Sequence, residues 1–140
     1  MQVYQRKADA AARVFHSGRH RDAAGLYLQA YRDAPSSGPN KWHIFHGYTS
    51  ILREEYFKAT DSDISSVSKI SSDKSEVKLV RVEAAFTAGF LHWLRHERET
   101  ACEFYRSAIR IAEKATDKER KIKYTKYSGA GLVPTPMGDL

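Results

Sequence analysis

GRHRDAAGLYLQA, at residues 18–30, has a counterpart in HERETACEFYRSA at residues 96–108. In both stretches an alanine is followed four residues later by a tyrosine and seven residues later by a second alanine. These positions are Ala23, Tyr27 and Ala30 in the first stretch and Ala101, Tyr105 and Ala108 in the second. On an α-helix this spacing places the three side chains on one face. Small residues beside an aromatic ring let a neighbouring helix approach closely, so we predict that each stretch belongs to a helical hairpin with buried alanines.

Length and composition indicate one globular domain. The chain has 140 residues, of which 41% are hydrophobic and 29% charged. Its single cysteine, Cys102, cannot form an intrachain disulfide. No apolar run approaches the roughly 20 residues that a membrane-spanning helix needs. Because no signal peptide is visible, we expect an intracellular location, cytoplasmic by default, with the nucleus as an alternative.

Apolar periodicity predicts an all-α fold of about six helices. The predicted helical segments are residues 3–17, 21–33, 40 onwards, 75–95 and 97–115, with an extension over 116–127 and a flexible Gly/Pro tail over 128–140. The serine-rich segment 61–76 fits either a short helix with one apolar edge or a flexible connection. The segment 75–95 is apolar nearly all round, so we expect other helices to surround it.

The repeated pattern resembles that of the tetratricopeptide-repeat family. The matching residues are Gly18, Ala23, Tyr27, Ala30 and Pro35 in the first repeat, Gly47, Tyr56 and Ala59 in a degraded middle repeat, and Gly89, Ala101, Tyr105 and Ala108 in the third. This resemblance implies three stacked antiparallel hairpins, at about 3–34, 40–71 and 75–115, in a short α-solenoid within one domain over 1–127. A three-helix microtubule-interacting and trafficking domain is a more distant alternative, since it would leave half of the chain unexplained.

The resemblance also implies a role as a protein-interaction scaffold. A groove near helices three and five would bind a peptide or helix of another protein through aromatic contacts with a charged rim. The candidate partner-binding residues are Trp42, Phe45, Phe86, Phe90 and Trp93, with Lys41, Arg81 and Arg95 at the rim. Core packing is the competing interpretation of each aromatic residue. Some family members clamp a terminal carboxylate with cations, but Ala8, Ala12, Phe45, Glu83 and Thr87 occupy those positions here and argue against such a clamp.

The formal charge of +6 is concentrated near the C-terminal end, where residues 106–126 hold eight basic and three acidic side chains. This segment suggests two alternatives to a solvated capping helix, namely binding to nucleic acid or to an anionic membrane surface. The candidate nucleic-acid-binding residues are Lys114, Lys118, Arg120, Lys121, Lys123 and Lys126. A further alternative is self-association, in which the apolar face of helix five closes a homodimer.

The sequence contains no complete catalytic or metal-binding motif. The histidines form close pairs, His16 with His20, His43 with His46 and His92 with His96, but no carboxylate or cysteine set completes a metal site around them. No phosphate loop follows a strand, and no nucleophile elbow is present. We therefore expect no catalytic residues, no metal, no cofactor and no enzyme activity.

Overall fold

The structure, a computed structural model, describes residues 2–35, 39–54 and 57–115. These residues form six α-helices and no strand, so the all-α prediction is confirmed for the part of the chain that the structure describes. The helices are α1 (Val3–His16), α2 (His20–Asp33), α3 (Pro39–Leu52), α4 (Asp61–Ser72), α5 (Lys78–Leu94) and α6 (Arg98–Glu113). The chain divides after Lys58 into two compact units. Unit 1 contains α1 to α3 and unit 2 contains α4 to α6, and each is described by itself.

In unit 1, α2 packs against both α1 and α3. The contact between α1 and α2 is made by small side chains, because Ala11, Ala23 and Ala30 are each 0% exposed. The contact between α2 and α3 is aromatic, with the rings of Tyr31 and Phe45 at a centroid distance of 4.9 Å. The predicted burial of both alanines in the first stretch is confirmed.

The turn between α1 and α2 is made by Gly18, whose φ of 89° lies in the left-handed region. This conformation lets the Arg19 amide donate to the Val14 carbonyl oxygen at 3.2 Å, and the Ser17 hydroxyl donates to the same oxygen at 2.7 Å. Glycine is the residue that enters this region without a steric cost, which is why helices so often end beside one. The glycine of the first sequence stretch therefore sets the bend of the hairpin.

The serine-rich segment is a helix over Asp61–Ser72, which decides between the two interpretations of the sequence. Thr60 caps it in a reciprocal arrangement: the Thr60 amide donates to the Asp63 carboxylate at 2.8 Å, and the Asp63 amide donates to the Thr60 hydroxyl at 3.3 Å. Its apolar edge is buried, with Ile64 and Val67 in the core. The capping pair explains why so many serines are compatible with helix here.

In unit 2, α5 packs against α4 on one side and α6 on the other, which explains its nearly continuous apolar surface. Ala85, Ala101 and Ala108 are each 0% exposed and share a cluster with Phe86 and Tyr105. The predicted burial of the alanines in the second stretch is thus also confirmed. The helix begins at Lys78 rather than near residue 75, because Asp73 accepts hydrogen bonds from the Ser75 amide (3.0 Å) and hydroxyl (2.6 Å) in a tight turn.

Two predictions of the domain organisation remain predictions. The middle hairpin at 40–71 would pair α3 with α4, which belong to different units. The extension over 116–127 and the tail over 128–140 lie outside the described residues. Within the described ranges, no helix combines the length and the hydropathy required to cross a membrane.

Candidate functional site

Three of the five predicted aromatic binding residues belong to the core. Trp42 is 2% exposed, Phe45 is 0% exposed and Phe86 is 6% exposed. The Trp42 ring stacks on His46 at a centroid distance of 5.1 Å, and the Phe86 ring lies 6.2 Å from that of Tyr105. Because these rings lie in the interior of their units, their burial supports the core-packing interpretation for all three.

The other two aromatic candidates keep some accessible surface near the end of α5. Phe90 is half-buried, and Trp93 is 40% exposed beside Leu94, which is 57% exposed. The Arg98 guanidinium lies 5.7 Å from the centroid of the Trp93 ring. This is a small surface made by adjacent residues at a turn. Trp42, Phe45 and Phe86, which the sequence analysis placed in the same groove, are buried and do not contribute to it.

The predicted rim cations are spread over separate places. Lys41, in unit 1, has its ammonium 5.0 Å from the Tyr31 ring centroid. Arg95 forms an ion pair with Asp61 at 2.6 Å within unit 2. Arg81, also in unit 2, donates from Nε to the Ser71 carbonyl oxygen at 3.1 Å. Only Arg81 takes part in the site described next.

The most distinctive feature of unit 2 is an open cavity of about 430 Å³ that cations surround, here called the basic cavity. Its walls are the turn before α5, the first turns of α5 and the last turns of α6. The described residues that line it are Lys74, Lys78, Arg81, Ser107, Arg110, Ile111 and Lys114. Five of them are basic and none is acidic.

Helical spacing brings these residues together. Lys78 and Arg81 are three apart on α5, and Lys74 precedes them by one turn. On α6, Ser107, Arg110 and Lys114 follow one another at intervals of three and four. Residues at these intervals share one helix face. Since α5 and α6 pack against each other, the two polar faces meet at the edge of their contact, where Ile111 is buried beneath them.

The start of α5 adds to the positive potential of the basic cavity. The first turn of α5 contains no acidic residue, and no side chain caps its N-terminus, whereas α4 begins with Asp61 and Asp63. The exposed amide groups at a helix N-terminus carry about half a positive charge. The ammonium of Lys78, the first residue of α5, donates to the Lys114 carbonyl oxygen at 3.1 Å. This bond ties the start of α5 to the end of α6 and holds one cation in place.

Acidic groups next to the basic cavity are engaged within their own turn. The Glu76 carboxylate accepts a hydrogen bond from the Val77 amide at 2.8 Å. Asp73 accepts the two bonds from Ser75 that close the turn before α5. Neither carboxylate is among the lining residues, so the charged side chains in the described part of the wall are all cationic.

A second cavity, of about 470 Å³ in unit 1, differs in its charge balance. It lies at the start of α2, beside Phe57 and Lys58. The Asp22 carboxylate also lines it and forms an ion pair with Arg19 at 2.8 Å. Arg21 donates to the Lys58 carbonyl oxygen at 3.0 Å and lies 4.3 Å from the Phe57 ring centroid. Because the Asp22 carboxylate partly neutralises the cations of this cavity, the cavity attracts an anion less strongly than the basic cavity does.

The sequence identified two members of the basic cavity but assigned them to different sites. Arg81 was expected at the rim of the aromatic groove, and Lys114 in a nucleic-acid-binding segment. Arg110 lay in the predicted basic segment 106–126 without being named as a candidate, and sequence reasoning missed Lys74, Lys78 and Ser107. The interval of three or four residues between cations was a signal for them, but only the pairing of α5 with α6 shows that the two sets meet. Lys118, Arg120, Lys121, Lys123 and Lys126 lie outside the described residues.

The paired histidines lie against aromatic rings. His20 makes an edge contact with Phe15 at a centroid distance of 4.7 Å. His92 stacks on Phe104 at 5.3 Å, and its Nδ1 lies 3.3 Å from the Glu97 carboxylate. Within residues 2–35, 39–54 and 57–115, no group of three or more His, Cys, Asp or Glu side chains has the arrangement of a metal site.

No protein-family model, curated protein or solved structure matches the chain. Its class is therefore defined by the architecture of the described residues: they are all-helical, two hairpins, α1–α2 and α5–α6, carry the same Ala–Tyr–Ala pattern, and a basic cavity lies at the edge of the second.

Proposed function

We propose that the chain is a protein-interaction scaffold of the tetratricopeptide-like kind, and that it binds an acidic segment of another protein in the basic cavity. The observation that carries the proposal is the set of five cations around one cavity, with no acid among the lining residues that the structure describes. A single exposed ion pair contributes only about 0.2–1 kcal/mol. Several cations that face one concave site act together on the same ligand and raise its local concentration.

The lining chemistry favours binding over catalysis. Among the described lining residues, Ser107 has a hydroxyl group that could act as a nucleophile. None of the other described lining residues is a histidine or carboxylate that could take its proton. Arg and Lys at the wall are donors of hydrogen bonds to carboxylates. The two hairpins with matching buried alanines support the tetratricopeptide-like part of the proposal, since members of that family bind peptides on the faces of their helices.

A fluorescence anisotropy titration tests the proposal. The probe is a labelled peptide of six glutamates, at about 150 mM salt. The double variant Arg110→Gln with Lys114→Gln removes two cavity cations that are exposed and carry no core contact. We expect its dissociation constant to rise about ten-fold or more, a loss of about 1.4 kcal/mol.

The matched control is Lys69→Gln with Arg106→Gln, because both residues are exposed in unit 2, outside the cavity lining, and their loss changes the net charge equally. We expect the control to bind within about two-fold of the parent chain. Equal weakening in both double variants would show that net charge alone attracts the peptide, and the proposed site would be wrong.

Nucleic-acid binding is the second candidate function, because Lys114 of the predicted basic segment does line the cavity. Single-stranded nucleic acid is usually held by cations together with aromatic rings on which bases stack. The described lining offers no such ring. A titration with single-stranded RNA of matched charge decides between the two: tighter binding of RNA than of the acidic peptide, with a steep salt dependence, would favour nucleic acid.

A further inference from the structure

We infer that the basic cavity recognises a phosphate monoester, and that its ligand is a phosphorylated serine or threonine within the acidic segment of the partner. This inference rests on the proposed function and names the group that the site selects. A phosphorylated side chain carries about −1.5 to −2 charges and three acceptor oxygens, whereas a carboxylate carries one charge on two oxygens. Five cations around one cavity exceed what a single carboxylate can neutralise.

The two arginines provide the directional part of this recognition. Arg81 belongs to α5 and Arg110 to α6, so guanidinium groups approach the cavity from both walls. The planar guanidinium forms paired hydrogen bonds with phosphate oxygens, which an ammonium group cannot do. The bond from Arg81 to the Ser71 carbonyl oxygen uses Nε and anchors this side chain at the wall of the cavity.

The start of α5 supports the same ligand. A cation at the first position of a helix opposes the helix dipole and costs roughly 0.3–1 kcal/mol. Lys78 occupies this position, and the first turn itself contains no acid, although the Glu76 carboxylate lies just before it and accepts from the Val77 amide at 2.8 Å. Folding alone favours the opposite choice, which α4 shows with its two aspartates. A doubly charged anion in the cavity would be attracted by Lys78 and by the α5 amides together, as phosphate groups are at other helix N-termini.

The size of the cavity and the charge of the remaining chain are consistent with an external ligand. A volume of about 430 Å³ is in the range of small-ligand pockets, so it accommodates one phosphorylated side chain and its neighbours. Residues 116–140 contain five basic and three acidic side chains. That segment has the same sign of charge as the cavity, so it is not the complementary partner.

Two peptides that differ by one phosphate test the inference on the full chain. Each has a central serine flanked by two glutamates on either side, and only one is phosphorylated at that serine. In fluorescence anisotropy at about 150 mM salt, we expect the phosphopeptide to bind about ten-fold more tightly than its unphosphorylated twin. Arg110→Lys keeps the charge but loses the paired hydrogen bonds of a guanidinium, so we expect the ratio of the two affinities to fall about three- to five-fold below that of the parent chain. Arg106→Lys, outside the cavity, should leave the preference intact.

The results separate the inference from the function on which it rests. Equal affinity for the two peptides, with binding still weakened by Arg110→Gln and Lys114→Gln, would overturn phosphate recognition and leave the acidic-segment proposal standing. If neither peptide binds, both are wrong. If single-stranded RNA displaces the phosphopeptide at a lower concentration than the unlabelled phosphopeptide does, the cavity serves nucleic acid, and the inference fails.

Discussion

The α1–α2 and α5–α6 hairpins share one sequence pattern but pack its tyrosine in opposite directions. In unit 2 the Tyr105 ring lies against Gly89 of the preceding helix: a β-carbon on Gly89 would be 2.6 Å from Tyr105 Cε1. In unit 1 the Tyr27 ring lies against Gly47 of the following helix, where a β-carbon would be 2.7 Å from Tyr27 Cε1. Tyr105 is only 6% exposed, whereas Tyr27 is half-buried.

The residue at the glycine position differs between the two hairpins. The sequence offset that relates Ala23 to Ala101 also relates Ala11 to Gly89. Ala11 carries a methyl group where Gly89 has none, which is consistent with Tyr27 packing on Gly47 of the following helix. The alanines Ala23, Ala30, Ala101 and Ala108 are buried alike in both hairpins.

The largest effect that follows from this comparison is at Gly89. We expect Gly89→Ala to lower the free energy of unfolding by about 2–3 kcal/mol, because the new methyl group would also be 3.2 Å from the Ala101 carbonyl oxygen, a backbone atom that cannot swing away. Urea unfolding followed by circular dichroism measures this change.

The same substitution at two other glycines makes the test specific. Gly47→Ala should cost less, about 1 kcal/mol, because the three atoms nearest to the new methyl group all belong to the side chain of half-buried Tyr27 rather than to the backbone. Gly25→Ala meets no atom within 4 Å in an exposed helical position, so it should stabilise the chain by about 0.5–1 kcal/mol. If Gly47→Ala proved as costly as Gly89→Ala, the two tyrosines would be equally confined and the comparison would be wrong.

Most of the fold was accessible from the sequence, because it depends on local periodicity. The helix positions and the buried seam alanines follow from residue spacing, and the capping pair Thr60 and Asp63 was available to favour helix in the serine-rich segment. The direction in which Tyr27 packs was not accessible. It depends on Gly47, a residue far along the chain on a different helix.

The candidate site was less accessible, for a related reason. Trp42, Phe45 and Phe86 have the composition of a binding surface, and only burial shows that they are core residues. The basic cavity needs two helix faces at once, so neither Arg81 nor Arg110 identifies it alone. Aromatic residues alone do not distinguish a binding surface from a core, since they are frequent in both.

The buried tyrosine predicts a loss of stability in alkaline solution. Burial, and to a lesser degree the charge of Cys102, raises the pKa of Tyr105 to about 12. The unfolded chain ionises this group near its ordinary pKa, so the contribution to stability is complete below pH 10 and is lost as the pH rises toward 12. The Tyr105 hydroxyl has no hydrogen-bond partner among the described residues.

We therefore expect Tyr105→Phe to be nearly neutral at pH 7 and to resist alkali better. At about pH 11, the parent chain should have lost about 1.4 kcal/mol that the variant retains. Tyr27→Phe should show a smaller benefit, because Tyr27 is only half-buried, although burial and the charge of Asp9 raise its pKa as well. Urea midpoints measured across this pH range check both variants. An identical pH profile for Tyr105→Phe and the parent chain would place the hydroxyl in solvent.

The smallest effect concerns the turns that close the two hairpins. Gly18 and His96 occupy equivalent positions, and both have a left-handed backbone, with φ of 89° and 64°. In the second hairpin a residue with a β-carbon holds this conformation, at a cost of roughly 1–2 kcal/mol. The Glu97 amide still closes the turn by donating to the His92 carbonyl oxygen at 3.0 Å.

His96→Gly should therefore stabilise the chain by about 0.5–1 kcal/mol, after the greater flexibility of glycine in the unfolded chain is deducted. The His96 side chain is exposed, so its removal loses few packing contacts. His96→Ala is the matched control, since it removes the imidazole but keeps the β-carbon, and it should bring no gain. If alanine stabilised the chain as much as glycine did, the imidazole rather than the backbone would be the source of the cost. The two hairpins would then differ in side-chain chemistry at this turn and not in strain.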